Sequence, residues 1–236
     1  EIKDQCPDLE FIVYCDPRGM RDYPQNFLID LDSLQKDGRE LDTKQQSFFV
    51  DEVDKGKGGD VACILYTSGT TGNPKGVVLS YESLIKTATN AAEWDNLTSD
   101  GDVLAYLPMA WVGDNLFSYS ESYIAGFCVN CPENSETVLN DMREIGPSYF
   151  FAPPRMFENL LTSVMIRMED AGTVKRKMFH YFMAVAKRTG TRILNGESVS
   201  AGDRLLYAIG RLLVYGPLKN TLGFTRIQMA YTAGES

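Results

Sequence analysis

Apolar and polar positions follow one another along the chain in blocks that predict strands and helices in turn. Continuous apolar runs at residues 61–66, 103–107 and 148–152 predict strands, and the run at 61–66 is expected to be buried on both faces. Residues 81–94 predict a helix, because Ser80 is a suitable N-cap. Strands that alternate with helices favour an α/β fold with a mostly parallel sheet covered by helices.

Shorter or more polar segments predict the remaining elements. Further strands are expected at residues 9–15, 76–79, 127–131 and 227–230, and further helices at 31–37, 136–145, 156–168, 174–188 and 203–215.

Composition and charge narrow the class of protein. The 236 residues are 44% hydrophobic and 23% charged, which is typical of a globular protein. The net charge of −9 disfavours nucleic-acid binding, because nucleic-acid-binding proteins usually carry excess positive charge. No apolar run approaches the roughly 20 residues that cross a bilayer, and no secretory leader is readable at Glu1, so a cytoplasmic location is expected.

Cysteine and histidine content excludes several kinds of site. His180 is the single histidine, so a zinc site built on a histidine pair is impossible within the chain. It lies in a charged, aromatic segment that predicts a helix, and we interpret it as structural rather than catalytic. Cys128 and Cys131 form a CxxC pattern, but residues three apart in a strand point to opposite faces, which disfavours a shared metal or disulfide.

The segment from Tyr66 to Gly76 carries the strongest chemical signal. Its glycines allow tight turns and close approach of backbone N–H groups to a ligand. Four hydroxyls and one lysine add donors and positive charge, which suit a polyphosphate. A Walker A loop would open a helix, whereas residues 76–79 predict a strand, so this loop is expected to join two strands. The sequence reads Tyr66-Thr67-Ser68-Gly69-Thr70-Thr71-Gly72-Asn73-Pro74-Lys75-Gly76.

This segment resembles the phosphate-binding signature of the adenylate-forming superfamily, which includes acyl-CoA synthetases, luciferases and the adenylation domains of peptide synthetases. Three further segments resemble its long-chain fatty acyl-CoA synthetase branch in the same order, at residues 107–111, 152–158 and 232–235. The resemblance implies that residues 1–236 are an incomplete portion of the large N-terminal adenylation domain. The C-terminal domain, with its catalytic lysine, is expected to be absent.

The resemblance also implies a two-step reaction. A carboxylate attacks the α-phosphate of ATP to give an acyl-adenylate and pyrophosphate, and the thiol of coenzyme A then displaces AMP. Lys75 and Thr70 are the implied catalytic residues, and Thr71 is the implied contact to Mg²⁺ carried by ATP. The residues implied to bind ATP are Thr67, Ser68, Gly69, Thr70, Thr71, Gly72 and Lys75 at the phosphates, and Gly234 and Glu235 at the adenine.

Trp111 and Gly113 are implied to lie near the acyl site. The chain departs from the family pattern here, because Trp111 replaces a histidine and Asp114-Asn115 replaces an acid–arginine pair. The change to tryptophan makes the pocket wall larger and more apolar. These departures leave the acyl specificity open. The chain taken alone is expected to be inactive, because the implied catalytic lysine of the C-terminal domain lies outside it.

Three other functions stay open, and so does a membrane contact. The first function is another adenylate-forming ligase that acts on aryl or amino acids, the second is an unrelated ATPase or kinase, and the third is a non-catalytic nucleotide-binding module. A basic cluster at residues 175–177, 187–188 and 192 is interpreted as a solvated helix face. With the apolar helix at 205–213 it could instead form a peripheral contact with an anionic membrane. Small molecules, namely ATP, fatty acid and coenzyme A, are the expected partners.

Overall fold

A computed structural model describes residues 5–20, 22–23, 25–67 and 72–233, and the chain divides into two compact units at Lys57 and Gly58. The strands are β1 (Ile12–Tyr14), β2 (Leu28–Asp30), β3 (Val61–Thr67), β4 (Lys75–Ser80), β5 (Asp102–Leu104), β6 (Cys128–Asn130), β7 (Tyr149–Ala152) and β8 (Met229–Thr232). The helices are α1 (Leu31–Lys44), α2 (Phe48–Asp54), α3 (Tyr81–Trp94), α4 (Val112–Asp114), α5 (Glu121–Ala125), α6 (Val138–Ile145), α7 (Pro154–Glu169), α8 (Thr173–Leu194), α9 (Ala201–Gly210) and α10 (Gly216–Leu222).

The first unit is small. Strands β1 and β2 pair in parallel, and α1 begins where the Asp30 carboxylate accepts a hydrogen bond from the Ser33 backbone N–H at 2.8 Å. Helix α1 extends to Lys44, beyond the predicted 31–37, and α2 was not predicted. No side chain described in this unit is fully buried.

The second unit holds a four-stranded parallel sheet in the order β6-β5-β7-β8. Helices cover both faces of this sheet, so the predicted α/β class with a mostly parallel sheet is confirmed. Phe150 is fully buried on one face against α6 and α7, and its neighbour Tyr149 is buried on the other face near Phe127. This alternation arises because successive side chains of a strand point to opposite faces of the sheet.

The predicted burial of the run at 61–66 is wrong. Strand β3 pairs with β4 as an antiparallel hairpin, separate from the parallel sheet, and Val61, Ile64 and Tyr66 are exposed. A two-stranded hairpin has too few strands to enclose either of its faces, so an apolar run in it is not buried by pairing alone. The prediction that the loop after Thr67 joins two strands is confirmed.

Two helical stretches contain π turns that the sequence pattern did not predict. One spans Asn115–Ser120 between α4 and α5, and the other spans Arg211–Tyr215 between α9 and α10. The single helix predicted at 203–215 is therefore α9 followed by a π segment. None of the helices described is both long and apolar enough to cross a membrane.

Candidate functional site

The β3–β4 hairpin brings the two ends of the predicted phosphate loop together. Thr67 is the register partner of Lys75, and its Oγ1 donates a hydrogen bond to the Lys75 carbonyl oxygen at 3.4 Å. Gly72 has a φ of +87°, a backbone conformation that side chains with a Cβ rarely adopt. The hairpin thus fixes both flanks of the loop.

Lys75 is an exposed cation at the start of β4. Its ammonium has no ion pair and no side-chain hydrogen bond within the part of the chain that the structure describes. An unpaired ammonium beside a glycine-rich loop is free to bind an anion.

A cavity of about 670 Å³ adjoins this hairpin. Thr67 lines it from β3, Trp111 and Gly113 line it from the start of α4, and Phe151 and Pro153 line it from the end of β7. Most other lining side chains are apolar: Leu65, Val77, Leu79, Leu107, Ala110, Val112, Leu116 and Phe117. Its size lies within the roughly 300–1,000 Å³ of small-molecule sites. The structure therefore brings predicted phosphate-loop and acyl-site residues to one cavity.

Gly113 permits the close approach of α4 to β7. A Cβ at this position would lie 2.5 Å from Cε1 of Phe151, well inside van der Waals contact. Phe151 in turn stacks on Phe117, with ring centroids 4.7 Å apart. The absence of a side chain at Gly113 thus keeps this aromatic wall of the cavity in place.

A buried polar group lies directly after Gly113. Asp114 is 1% exposed and accepts a hydrogen bond from Ser118 Oγ at 2.8 Å. Burial raises the pKa of the Asp114 carboxyl, and the Ser118 hydroxyl opposes that shift. Burial also raises the pKa of Tyr106, and the nearby Asp114 carboxylate adds to that shift. Among the described residues, the buried Asp114 carboxylate has no guanidinium partner.

Glu121 is a second buried acid, which the sequence analysis missed. It is fully buried at the start of α5, and neither carboxylate oxygen has a hydrogen-bond partner in the described structure. Burial raises its pKa to about 7, the carboxylate of Asp95 adds to this, and the Tyr149 hydroxyl opposes it. A glutamate among serines and tyrosines is typical of a solvated helix face, so no sequence signal indicated its burial.

Six of the predicted site residues lie outside the described residues: Ser68, Gly69, Thr70, Thr71, Gly234 and Glu235. Thr67 directly precedes the first four of these residues and Ala233 directly precedes the last two, and both Thr67 and Ala233 line the cavity. Within the described ranges, no cluster of three or more histidine, cysteine or acidic side chains could hold a metal ion.

The weaker signals of the sequence have plain structural explanations. His180 lies exposed on α8, with its ring edge against Phe179. Cys128 and Cys131 are both free and exposed. Three arginines of the basic cluster form ion pairs on the surface: Arg176 with Glu169, Arg188 with Asp203 and Arg192 with Glu197.

Comparison with known proteins identifies the family. A sequence model described as "AMP-binding enzyme" matches residues 18–217. Long chain acyl-CoA synthetase 3 of Arabidopsis thaliana is 33% identical over 135 residues, which cover 55% of this chain and 20% of that protein. The long-chain-fatty-acid–CoA ligase ACSBG2 of Xenopus laevis is 25% identical over 240 residues, which cover 98% of this chain and 31% of that protein. The chain thus spans between about a fifth and a third of the length of these relatives.

A solved structure is also similar. A malonyl-CoA ligase with methylmalonyl-CoA and AMP bound is 25% identical, with a TM-score of 0.43, over 47% of this chain and 24% of that one. The family model covers more than half of the chain, including both flanks of the glycine- and hydroxyl-rich loop and every lining residue of the adjoining cavity except Ala233. The chain belongs to the AMP-binding enzyme family.

Proposed function

We propose that the natural protein containing this chain activates a carboxylic acid with ATP and transfers the acyl group to coenzyme A. In the first step a carboxylate oxygen bonds to the α-phosphorus of ATP while the bond to pyrophosphate breaks. In the second step the thiol sulfur of coenzyme A bonds to the acyl carbon, AMP leaves, and the thiol proton is released. The observation that carries the proposal is the single cavity that joins the phosphate-loop hairpin to an apolar pocket.

Lys75 and Thr70 are the proposed catalytic residues. The unpaired ammonium of Lys75 would offset the charge that develops on departing pyrophosphate, which lowers the barrier if it binds the transition state better than ATP. Thr67, Ser68 and Thr71 would donate hydrogen bonds to phosphate oxygens, and Gly69 and Gly72 would let backbone N–H groups approach them. Mg²⁺ bound to ATP, next to Thr71, would neutralise phosphate charge. Gly234 and Glu235 would lie along the adenine.

The acid is proposed to be a long-chain fatty acid. Trp111, Phe117 and Phe151 present an apolar surface next to Thr67, and burial of each methylene would contribute about 0.8 kcal/mol to binding. Gly113 would keep Phe151 in place as part of this apolar surface. The names of the two curated relatives support this acid class. A cytoplasmic location belongs to the same proposal.

Exchange of labelled pyrophosphate into ATP, measured on the full-length protein, tests the first step. Fatty acids of 8 to 18 carbons should support exchange, and Lys75→Met should reduce kcat/KM by about 100-fold or more. Lys86→Met is the matched control, because Lys86 is exposed on α3 and pairs with Glu82, away from the cavity. It should leave exchange within twofold of the wild type.

Each rival function predicts a different result in this assay. Exchange only with aryl or amino acids would indicate another adenylate-forming ligase. Release of ADP in place of AMP would indicate an ATPase or kinase. Nucleotide binding without any turnover would indicate a binding module. Unchanged exchange in Lys75→Met would overturn the role given to this lysine.

A further inference from the structure

A second cavity, of about 410 Å³, lies on the other side of the parallel sheet from the first. It is lined by residues of α6, α7, α8, α10 and the π segment Arg211–Tyr215. Leu160 and Leu222, two of its lining residues, belong to the core on the Phe150 face, whereas Phe117 of the first cavity packs on the Tyr149 face. The two cavities have no lining residue in common.

The wall of this second cavity is apolar and deformable. Its apolar lining residues are Leu139, Leu160, Val164, Met168, Met178, Phe179, Leu213, Val214, Pro217, Leu218 and Leu222. Methionine side chains are flexible and polarisable, and they fit ligands of irregular shape.

All the charge on the lining of the second cavity is positive. Arg143, Arg167 and Lys175 line it, and no carboxylate does so among the described residues. The chain as a whole carries a net charge of −9, so three cations without an acid on one lining stand out against its composition. Such a concave site attracts an anion.

The three cations are also available to a ligand. Arg167 and Lys175 are exposed, and within the described part of the chain neither forms an ion pair or a side-chain hydrogen bond. Arg143 donates through Nε to the Thr221 carbonyl oxygen at 2.7 Å, a contact that holds its guanidinium between α6 and α10. The neighbouring Arg176, in contrast, pairs with Glu169 and does not line the cavity.

From this combination we infer a second ligand site that takes a single alkyl chain ending in an anionic group, with a long-chain fatty acid as its simplest form. The chain would occupy the methionine- and leucine-lined interior, and the carboxylate would contact Arg167 and Lys175 at the rim. The inference does not rest on the proposed function, because it uses neither the hairpin nor the first cavity.

Photo-crosslinking of the full-length protein with a palmitate analogue that carries a diazirine near the end of its alkyl chain tests this site. Mass-spectrometric peptide mapping should find adducts within residues 160–179 and 213–222, and excess palmitate should suppress them. Adducts near residues 107–117 would indicate binding in the first cavity, so peptide mapping distinguishes the two sites. Absence of adducts from 160–179 and 213–222 would overturn the inference.

Two further arms test the role of charge. Arg167→Glu combined with Lys175→Glu should reduce adducts at the second cavity by at least about tenfold, because charge-assisted hydrogen bonds to the carboxylate are lost. Lys177→Glu is the control for the substitution at Lys175, since it reverses one charge on the same helix, α8, outside the cavity lining, and it should leave labelling within twofold.

The uncharged hexadecanol analogue should label the wild-type protein at least about tenfold less than the palmitate analogue. This comparison uses only the wild-type protein, so it does not depend on the folding of a variant. Equal labelling by the alcohol would show an apolar gap without anion recognition. An equal loss in Lys177→Glu would show a general effect of charge. Either result would overturn the inference.

Discussion

At the scale of single residues, burial raises the pKa of two acids, Asp114 and Glu121. Glu121 lies fully buried next to Asp95 and Tyr149, and its pKa rises to about 7 from an ordinary value of 4.5. Removing an ionised carboxylate from water costs free energy unless hydrogen bonds replace the lost solvation, and neither oxygen of Glu121 has such a bond in the described structure.

We expect this acid to make the protein less stable as pH rises. Between pH 4.5 and about 7 the folded state retains a proton on Glu121 that the unfolded chain releases, so the free energy of unfolding falls across this window and the contribution of Glu121 levels off above it. The shift corresponds to about 3 kcal/mol. Glu121→Gln should remove that part of the pH dependence in urea unfolding, whereas Glu144→Gln, at an exposed position of α6, should not. An unchanged pH slope in Glu121→Gln would contradict this account.

At the scale of elements, the contact between α4 and β7 shapes the first cavity. The contact depends on Gly113, because any Cβ there would overlap the ring of Phe151. Phe151 belongs to the aromatic group with Phe117 and Tyr231, in which Phe117 stacks on both other rings, so a shift of Phe151 would disturb the whole group.

Gly113→Ala should therefore destabilise the fold by about 1–3 kcal/mol, the usual cost of overpacking. Phe151→Leu in the same chain should recover part of the loss, and a double-mutant cycle of unfolding free energies would measure the coupling. Gly202→Ala in α9 is the control, because a Cβ there meets no atom within 4 Å, and it should be neutral or slightly stabilising. Additive effects at positions 113 and 151 would argue against the steric explanation.

Sequence alone predicted the elements whose ends have local signals. The helix at 81–94 has the bounds expected from Ser80, whose Oγ accepts a hydrogen bond from the Ser83 backbone N–H at 3.2 Å. Gly146 ends α6 in the left-handed conformation, and Pro147 follows it directly. Such signals act between residues that are close in sequence, so the ends of these helices can be predicted from the sequence alone.

Features set by distant contacts were not predictable in the same way. Around α5 the usual pattern is inverted, because Glu121 is buried while Tyr123 is 85% exposed. The apolar run at 61–66 predicted a buried strand, but a run of apolar residues does not indicate which element would cover the strand. The loop motif predicted phosphate chemistry at Lys75, and the position of Trp111 in the same cavity depends on how α4 meets the hairpin.

At the scale of the whole molecule, the two compact units differ in how much they bury. The described residues up to 57 include no fully buried side chain, whereas the unit from residue 58 contains three clusters of buried apolar residues. Local stability follows the density of buried apolar contacts.

Hydrogen exchange of the 236-residue chain should reveal this difference. Backbone amides of α1 and α2 should exchange at least about 100-fold faster than those of β7, whose four residues are all buried. Peptide-resolved mass spectrometry would measure both. Equal protection of the two units would show that the first unit gains stability from contacts other than burial of its own side chains.

The wide helical turn at Asn115–Ser120 determines how the number of residues before α5 affects the position of Glu121. The Glu121 N–H donates to the Leu116 carbonyl oxygen, five residues earlier, so this turn accommodates one residue more than a regular helix would. Deletion of one residue from this turn would restore ordinary helical spacing without rotating α5, because a π turn is where a helix holds an inserted residue. Glu121 would keep its buried position, whereas a deletion within the regular turns of α5 would rotate the side chains after it by about 100°. The π turn is therefore the place in this stretch where a related chain can lose one amino acid and retain the buried carboxyl.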